Sequence, residues 1–226
     1  MNGQQPQPQP QQSIQQSTQP LEHFKRPFDT TVDYKYICIK KDFFDPLMIY
    51  LNYTVLKVRK CIEIIYKSPS IFLDGLFFKT PKIKVSQIYI SRKPRQPNNV
   101  NLRIILNPAD KDQAAFITML QSIDTHITQY IGRFSREISK ELNELPEHVG
   151  NCIEMFRYDS ILKQSYMTYE LHMKSYLDPR TLADLYNYQQ NHSNVDITLT
   201  FNISNIYLGQ VNLIPLVKCN RCEIEG

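Results

Sequence analysis

The stretch KDQAAFITMLQSIDTHITQYIGRFSREISKELNEL, residues 111–145, decides how the rest of the chain is read. In it Phe116, Leu120, Ile123, Ile127, Tyr130, Phe134, Ile138 and Leu142 recur at spacings of three and four. Side chains so spaced line one face of an α-helix, so one amphipathic helix is expected over 110–145. Asp110, after Asn107-Pro108-Ala109, is placed to cap it, Gly132 is a candidate bend, and Pro146 and Gly150 mark its end.

Upstream the period changes to that of strands. YKYICIKK (34–41) alternates and is rich in β-formers. In 49–66, Leu47, Leu51, Val55, Val58, Ile62 and Ile65 would share a helical face, yet Ile, Val, Tyr and Thr dominate, which favours strands. Residues 71–78, 83–91 and 100–106 read as three further strands, separated by Asp74-Gly75, Thr80-Pro81 and the proline-bearing run 93–99. Downstream, 167–176, 195–203 and 208–217 read as strands, with Pro215 suggesting an edge position, and 178–188 as a short helix. Strands, one long helix, then strands describe a mainly β fold with α. The order fits an OB-fold-like Greek-key barrel with the helix inserted between strands.

Residues 1–25 stand apart. The run Gln4 to Gln12 is nothing but glutamine and proline, has almost nothing to bury, and is expected to be a disordered tail before a single domain over 26–226. Five cysteines, an odd number at irregular spacing, do not suit a secreted disulfide scaffold. With no basic-then-apolar leader and no long apolar run, the expectation is a soluble, intracellular protein.

The net charge of +4 says little, but its distribution says more. From Gly75 to Ala109 there is no acidic residue, while the same window holds Lys79, Lys82, Lys84, Arg92, Lys93, Arg95 and Arg103. A partner for such a cluster is anionic. Phe77, Phe78 and Tyr89 are interleaved with the charges, and Tyr34, Tyr36, Phe43 and Phe44 flank them in sequence. Cations for phosphates and rings for unstacked bases are what single-strand binding requires. The candidate nucleic-acid-binding residues are therefore Lys79, Lys82, Lys84, Arg92, Lys93, Arg95, Arg103, Tyr36, Phe78 and Tyr89. Because neighbouring strand residues point to opposite faces, one of Phe77 and Phe78 belongs to the core. Substituting Lys82 and Lys84 should, on this reading, weaken binding to all sequences alike.

Signals for other chemistry are weak. Cys219-Asn220-Arg221-Cys222 is a lone CxxC that His148 and Cys152 could complete as a zinc site, but reduced cysteines explain it as well, and no metal or cofactor is expected. Asp29, Asp33, Asp42 and Asp45 suit turns and caps better than nuclease metals. His126 and His172 lie in periodic elements and read as structural. The stripe Glu137, Glu141 and Glu144 would repel DNA and reads as a solvated face paired with Arg133, Arg136 and Lys140. No nucleophile triad, phosphate-cradling glycine loop or HExxH is present, so no enzyme is expected.

The block FLDGLFFKTPKIKV (72–85), with its TPKIKV core, is followed by NLRIIL (101–106) and then FITMLQSID (116–124). This order resembles the single-stranded DNA-binding proteins of nucleocytoplasmic large DNA viruses, which are similar to the T7-type phage single-strand binder, an OB-fold. The resemblance covers roughly 69–130, with an echo near Gly209. It implies a cofactor-free protein that coats single-stranded DNA in viral replication, repair or recombination. Lys79, Lys82 and Lys84 fall in the matching block. It further implies the host cytoplasm or viral factory, or the virion, as location, and replication proteins and further copies of the chain as partners, with RNA the alternative strand. Phage-like members end in an acidic tail with a terminal aromatic, whereas this chain ends Glu223-Ile224-Glu225-Gly226. A rival expectation is a structural or scaffolding protein of a virion or nucleoprotein core.

Overall fold

The computed structural model describes residues 32–39, 44–93, 96–191 and 194–225. The Gln/Pro tail and Arg95 lie outside them, as do the side chains of Arg92 and Lys93.

Among these residues the chain forms β1 (Ile49–Asn52), α1 (Leu56–Arg59), β2 (Cys61–Lys67), β3 (Phe72–Asp74), β4 (Leu76–Lys79), β5 (Ile83–Lys84), β6 (Ile88–Lys93) and β7 (Gln96–Leu106). There follow α2 (Lys111–Arg133), α3 (Ser135–Asn143), β8 (Arg157–Tyr158), β9 (Leu162–Ser165), β10 (Thr168–Tyr176), α4 (Pro179–Gln190), β11 (Asp196–Leu208) and β12 (Asn212–Glu225). The fold is mainly β with α, built on one mixed sheet whose hydrogen-bonded path runs β6-β7-β10-β12-β11-β2-β1.

β11 organises the sheet. One of its edges pairs with β12 along almost its whole length. The other is covered in turn by β5, β4 and β2. Two register shifts, at Thr200/Phe201 and Ile203/Asn205, bend this ribbon, since a bulge increases local twist. The far edge of β12 pairs in parallel with β8 at Asn212 and Leu213, and with β10 at Lys218 and Cys219. Between those contacts, 214–217 has no strand partner on that side among the described residues. Pro215, which has no N–H to donate, sits in this stretch, so the expected edge character is local rather than that of a whole strand.

The helix that opened the reading is present, and Asp110 caps it by accepting from the backbone N–H groups of Asp112 and Gln113. It is not continuous, however. Phe134 leaves helical geometry (φ −102°, ψ 24°) and divides α2 from α3. Its ring packs on Tyr130 at 4.5 Å and Tyr53 at 6.4 Å, and the break lets Ile138 and Leu142 turn inward. Gly132, the expected bend, remains helical. The apolar face of α2 (Phe116, Leu120, Ile123, Ile127) joins Leu102, Ile104, Leu171, Phe201 and Ile203 in one core.

Four strand expectations change, one of them 83–91, which divides into β5 and β6 around a 3-10 turn at Val85–Gln87 whose Gln87 side chain accepts from the Lys84 N–H. Residues 34–39 form turns with a single bridge, Ile37 to Phe78, rather than a strand. The ambiguous 49–66 resolves as β1 and β2 with the one-turn α1 between them, because Lys60 adopts a left-handed conformation (φ 52°) that ends the helix and reverses the chain. The 71–78 strand divides at Gly75. Gly75 has φ +104°, and a Cβ there would come to 3.0 Å from the Ile203 carbonyl oxygen and Ser204 Cα. Gly75→Ala is therefore expected to cost about 2 kcal/mol or more, read as a lowered denaturation midpoint.

Candidate nucleic-acid interface

The described cations of the basic window divide between two surfaces. β4, β5 and the connection between them carry Lys79, Lys84 and Lys82 beside β11 and β12, where each meets a carboxylate. Lys79 Nζ lies 3.0 Å from Glu223, Lys84 Nζ lies 2.8 Å from Asp196, and Lys82 pairs with Glu225. The Glu223 carboxyl is held below its ordinary range by Lys79 and then Arg221, and Lys82 is held above its own by Glu225. The three lysines that carried the family resemblance thus face internal anions. Tyr36 lies in the same groove with its hydroxyl on Asp112 at 3.0 Å and its ring edge-on to Phe116.

Phe78 is a correction. It is fully buried and stacks on Phe201 at 5.1 Å, so it is a core residue and has no face for a base. Phe77, its neighbour on the opposite face of β4, is only half-buried.

Arg103 and Tyr89 occupy a different surface, the outward face of β6, β7 and β10. Cross-strand register places Tyr89 beside Arg103 and Arg103 beside His172. The next row is Ser91, Asn101 and Lys174, and Lys174 is registered in turn with Lys218 of β12. All of these side chains are exposed. Where β12 and β10 separate around Pro215, the face sinks into a trough of about 650 Å³. Tyr89, Arg103, Lys163, His172, Lys174 and Tyr207 line it, with Ile214 at its rim. Tyr89 is 51% exposed, Tyr207 45% and Ile214 44%.

The charge here differs from that at Lys79, Lys82 and Lys84. Among the described residues, Lys163, Lys174 and Lys218 have no carboxylate within ion-pair distance. Arg103 approaches Glu170 only to 3.9 Å, and its guanidinium lies over the Tyr89 ring at 4.5 Å. Glu170 is engaged instead with His172 Nε2 at 2.8 Å. Lys174 and Lys218 stand directly opposite one another, an arrangement that is unfavourable without an anion between them. His172, expected to be structural, is on the exposed face.

One wall of the trough, Asp159 to Ile161, is fixed from beneath. Asp124 of α2 is buried and accepts from the Ile161 N–H at 3.0 Å and the Tyr158 hydroxyl at 2.9 Å. Burial, opposed by these donors and by the Leu162 N–H, raises its carboxyl to about 6.

Lys163, Lys174, Lys218, His172 and Tyr207 were missed by reading the sequence. Alternation in TYELHMKSY (168–176) puts His172 and Lys174 on one face and could have flagged that pair. The juxtaposition with Lys218 depends on a parallel pairing between distant strands and leaves no local sign.

The other expectations are readily located. Asp33 accepts from the Lys35 N–H and Asp45 caps the turn at 46–48, while Asp29 and Asp42 lie outside the described residues. Cys219 is buried, and burial foremost, then the neighbouring Cys219, pushes the Cys222 thiol up to about 12. Among the described residues no group of three or more His, Cys, Asp or Glu is placed to hold a metal. Among the described residues no helix is long and apolar enough to cross a membrane. Comparison with known proteins gave no matching family model, no matching curated protein and no matching solved structure.

Proposed function

We propose that the chain is a non-enzymatic, sequence-independent single-stranded DNA-binding protein whose strand lies along the outward face of β6, β7, β10 and the free stretch of β12. The observation that carries this is the coincidence, on one sheet surface, of exposed rings with exposed cations, of which Lys163, Lys174 and Lys218 have no carboxylate partner among the described residues and Arg103 only the distant Glu170. Lys163, Lys174, Lys218 and Arg103 supply charge for phosphates, while Tyr89 and Tyr207 supply faces for bases, each stacked base adding ~1–3 kcal/mol. Non-ionic stacking has no preference among bases, so the binding is sequence-blind. Lys79, Lys82 and Lys84 make a smaller contribution, because phosphates must displace Glu223, Glu225 and Asp196 to reach them.

The resemblance of 69–130 to the viral single-strand binders supports the same reading and extends it to replication, repair or recombination in the host cytoplasm or viral factory. The OB-fold-like barrel belongs to this proposal, supported by the bent β11–β12 ribbon and by the helices that stand between strands in chain order. Photocrosslinking tests the location. A 5-bromouracil-substituted single strand is expected to leave its adducts on peptides carrying Tyr89 or Tyr207. Adducts confined to the Tyr36 groove would move the interface to the ion-paired lysines.

A further inference from the structure

The turn between β9 and β10 contains a residue that neither turn chemistry nor burial explains. Ser165 pairs with Thr168, leaving Tyr166 and Met167 as a two-residue hairpin loop. Tyr166 is left-handed, with φ 38°. That position in a two-residue turn favours glycine, asparagine or aspartate, because a Cβ is crowded there. A tyrosine in this conformation is normally retained by packing, yet Tyr166 is 96% exposed and Met167 73% exposed. Among the described residues no ring, hydrogen-bond or ion-pair partner meets the Tyr166 side chain. A strained, fully exposed aromatic is a sign of selection for something outside the folded chain.

Its neighbourhood indicates what. Lys163, three residues earlier on β9, lines the trough and is registered with Glu170 of β10. The hairpin therefore continues the same face beyond the row of Arg103 and His172, with Lys163 set opposite the Glu170 that is already engaged by His172, and the tip stands about 10 Å along the strand from Lys163. A chain of phosphates leaving the trough past Lys163 meets a ring next.

We infer that the Tyr166–Met167 hairpin tip is a base-contacting element of the interface, in which the Tyr166 ring stacks on an unpaired nucleobase at the end of the bound strand and Met167 packs beside it. This rests on the single-strand reading of the trough and adds a site outside it. Glycine would relax the turn, so the same position couples a stability gain to a binding loss.

The test is fluorescence anisotropy of the full chain with labelled oligo-dT and with an abasic oligomer of equal length, across a salt series. For oligo-dT, Tyr166→Ala is expected to lower affinity about tenfold with an unchanged salt slope, because the lost contact is not ionic. Tyr166→Phe is expected to retain wild-type affinity. For the abasic strand, wild type and Tyr166→Ala are expected to bind alike. Tyr166→Gly is expected to melt above wild type while binding oligo-dT as weakly as Tyr166→Ala. Wild-type affinity for oligo-dT in both Tyr166→Ala and Tyr166→Gly would overturn the inference and leave the trough reading standing. Absence of wild-type binding to either oligomer would overturn both.

Discussion

Replacing Lys174 and Lys218 together by alanine is expected to weaken single-strand binding about fiftyfold at about 50 mM salt, and to flatten its salt dependence. Each phosphate contact on a single strand contributes a slope near −0.7 in log affinity against log salt, so two lost contacts make the slope shallower by about 1.4. The folded state should tolerate the change. The two lysines are exposed, lack carboxylate partners among the described residues, and face each other across a parallel pair. Lys82→Ala with Lys84→Ala is the companion measurement. Those side chains spend their charge on Glu225 and Asp196, so the slope should change by much less than in the Lys174/Lys218 pair. If the second pair moves the slope and the first does not, the strand follows β4 and β5 instead.

The second large effect is on stability. Asp124→Ala is expected to cost about 3–5 kcal/mol, because the buried Ile161 N–H and the hydroxyl of half-buried Tyr158 lose their charged acceptor. For a domain of this size that corresponds to a fall of roughly 10 °C in melting temperature. The pH dependence has an unusual sign. The folded carboxyl titrates near 6, above its ordinary value, so between about pH 4 and 6 the folded state binds the extra proton. Stability from this group is therefore greatest at low pH and declines as pH rises through that window. A shift of this size is worth roughly 2–3 kcal/mol. The stability difference between wild type and Asp124→Asn should thus widen by about that amount from pH 7 to pH 4.5, in paired urea titrations. A difference that narrows on acidification would show that the donors, not burial, govern Asp124.

The long helix and its cap were legible because their determinants are local: a three-four spacing and an aspartate before the first turn. The break at Phe134 was not, since it depends on ring packing with Tyr53, a residue far away in sequence. The same distinction explains the site. Seven cations without an acid between Gly75 and Ala109 look like one patch when only neighbours along the chain are counted. The fold then brings Glu223, Glu225 and Asp196 against the first three, from strands more than a hundred positions away. It brings Arg103 instead to a face completed by Lys174 and Lys218. Phe78 could not be told from Phe77 by alternation alone, which identifies a core residue but not which of two. Tyr89 and Arg103, read from the sequence only as separate candidate residues, lie side by side because β6 and β7 are adjacent in both sequence and space.

The most direct test of the central claim is an anisotropy titration of oligo-dT and of a duplex of equal length with the purified chain at several salt concentrations. The single strand should bind much more tightly than the duplex, with an affinity that falls as salt rises at about −0.7 per phosphate contacted. No binding of either ligand at low salt, or tighter binding of the duplex, would contradict it.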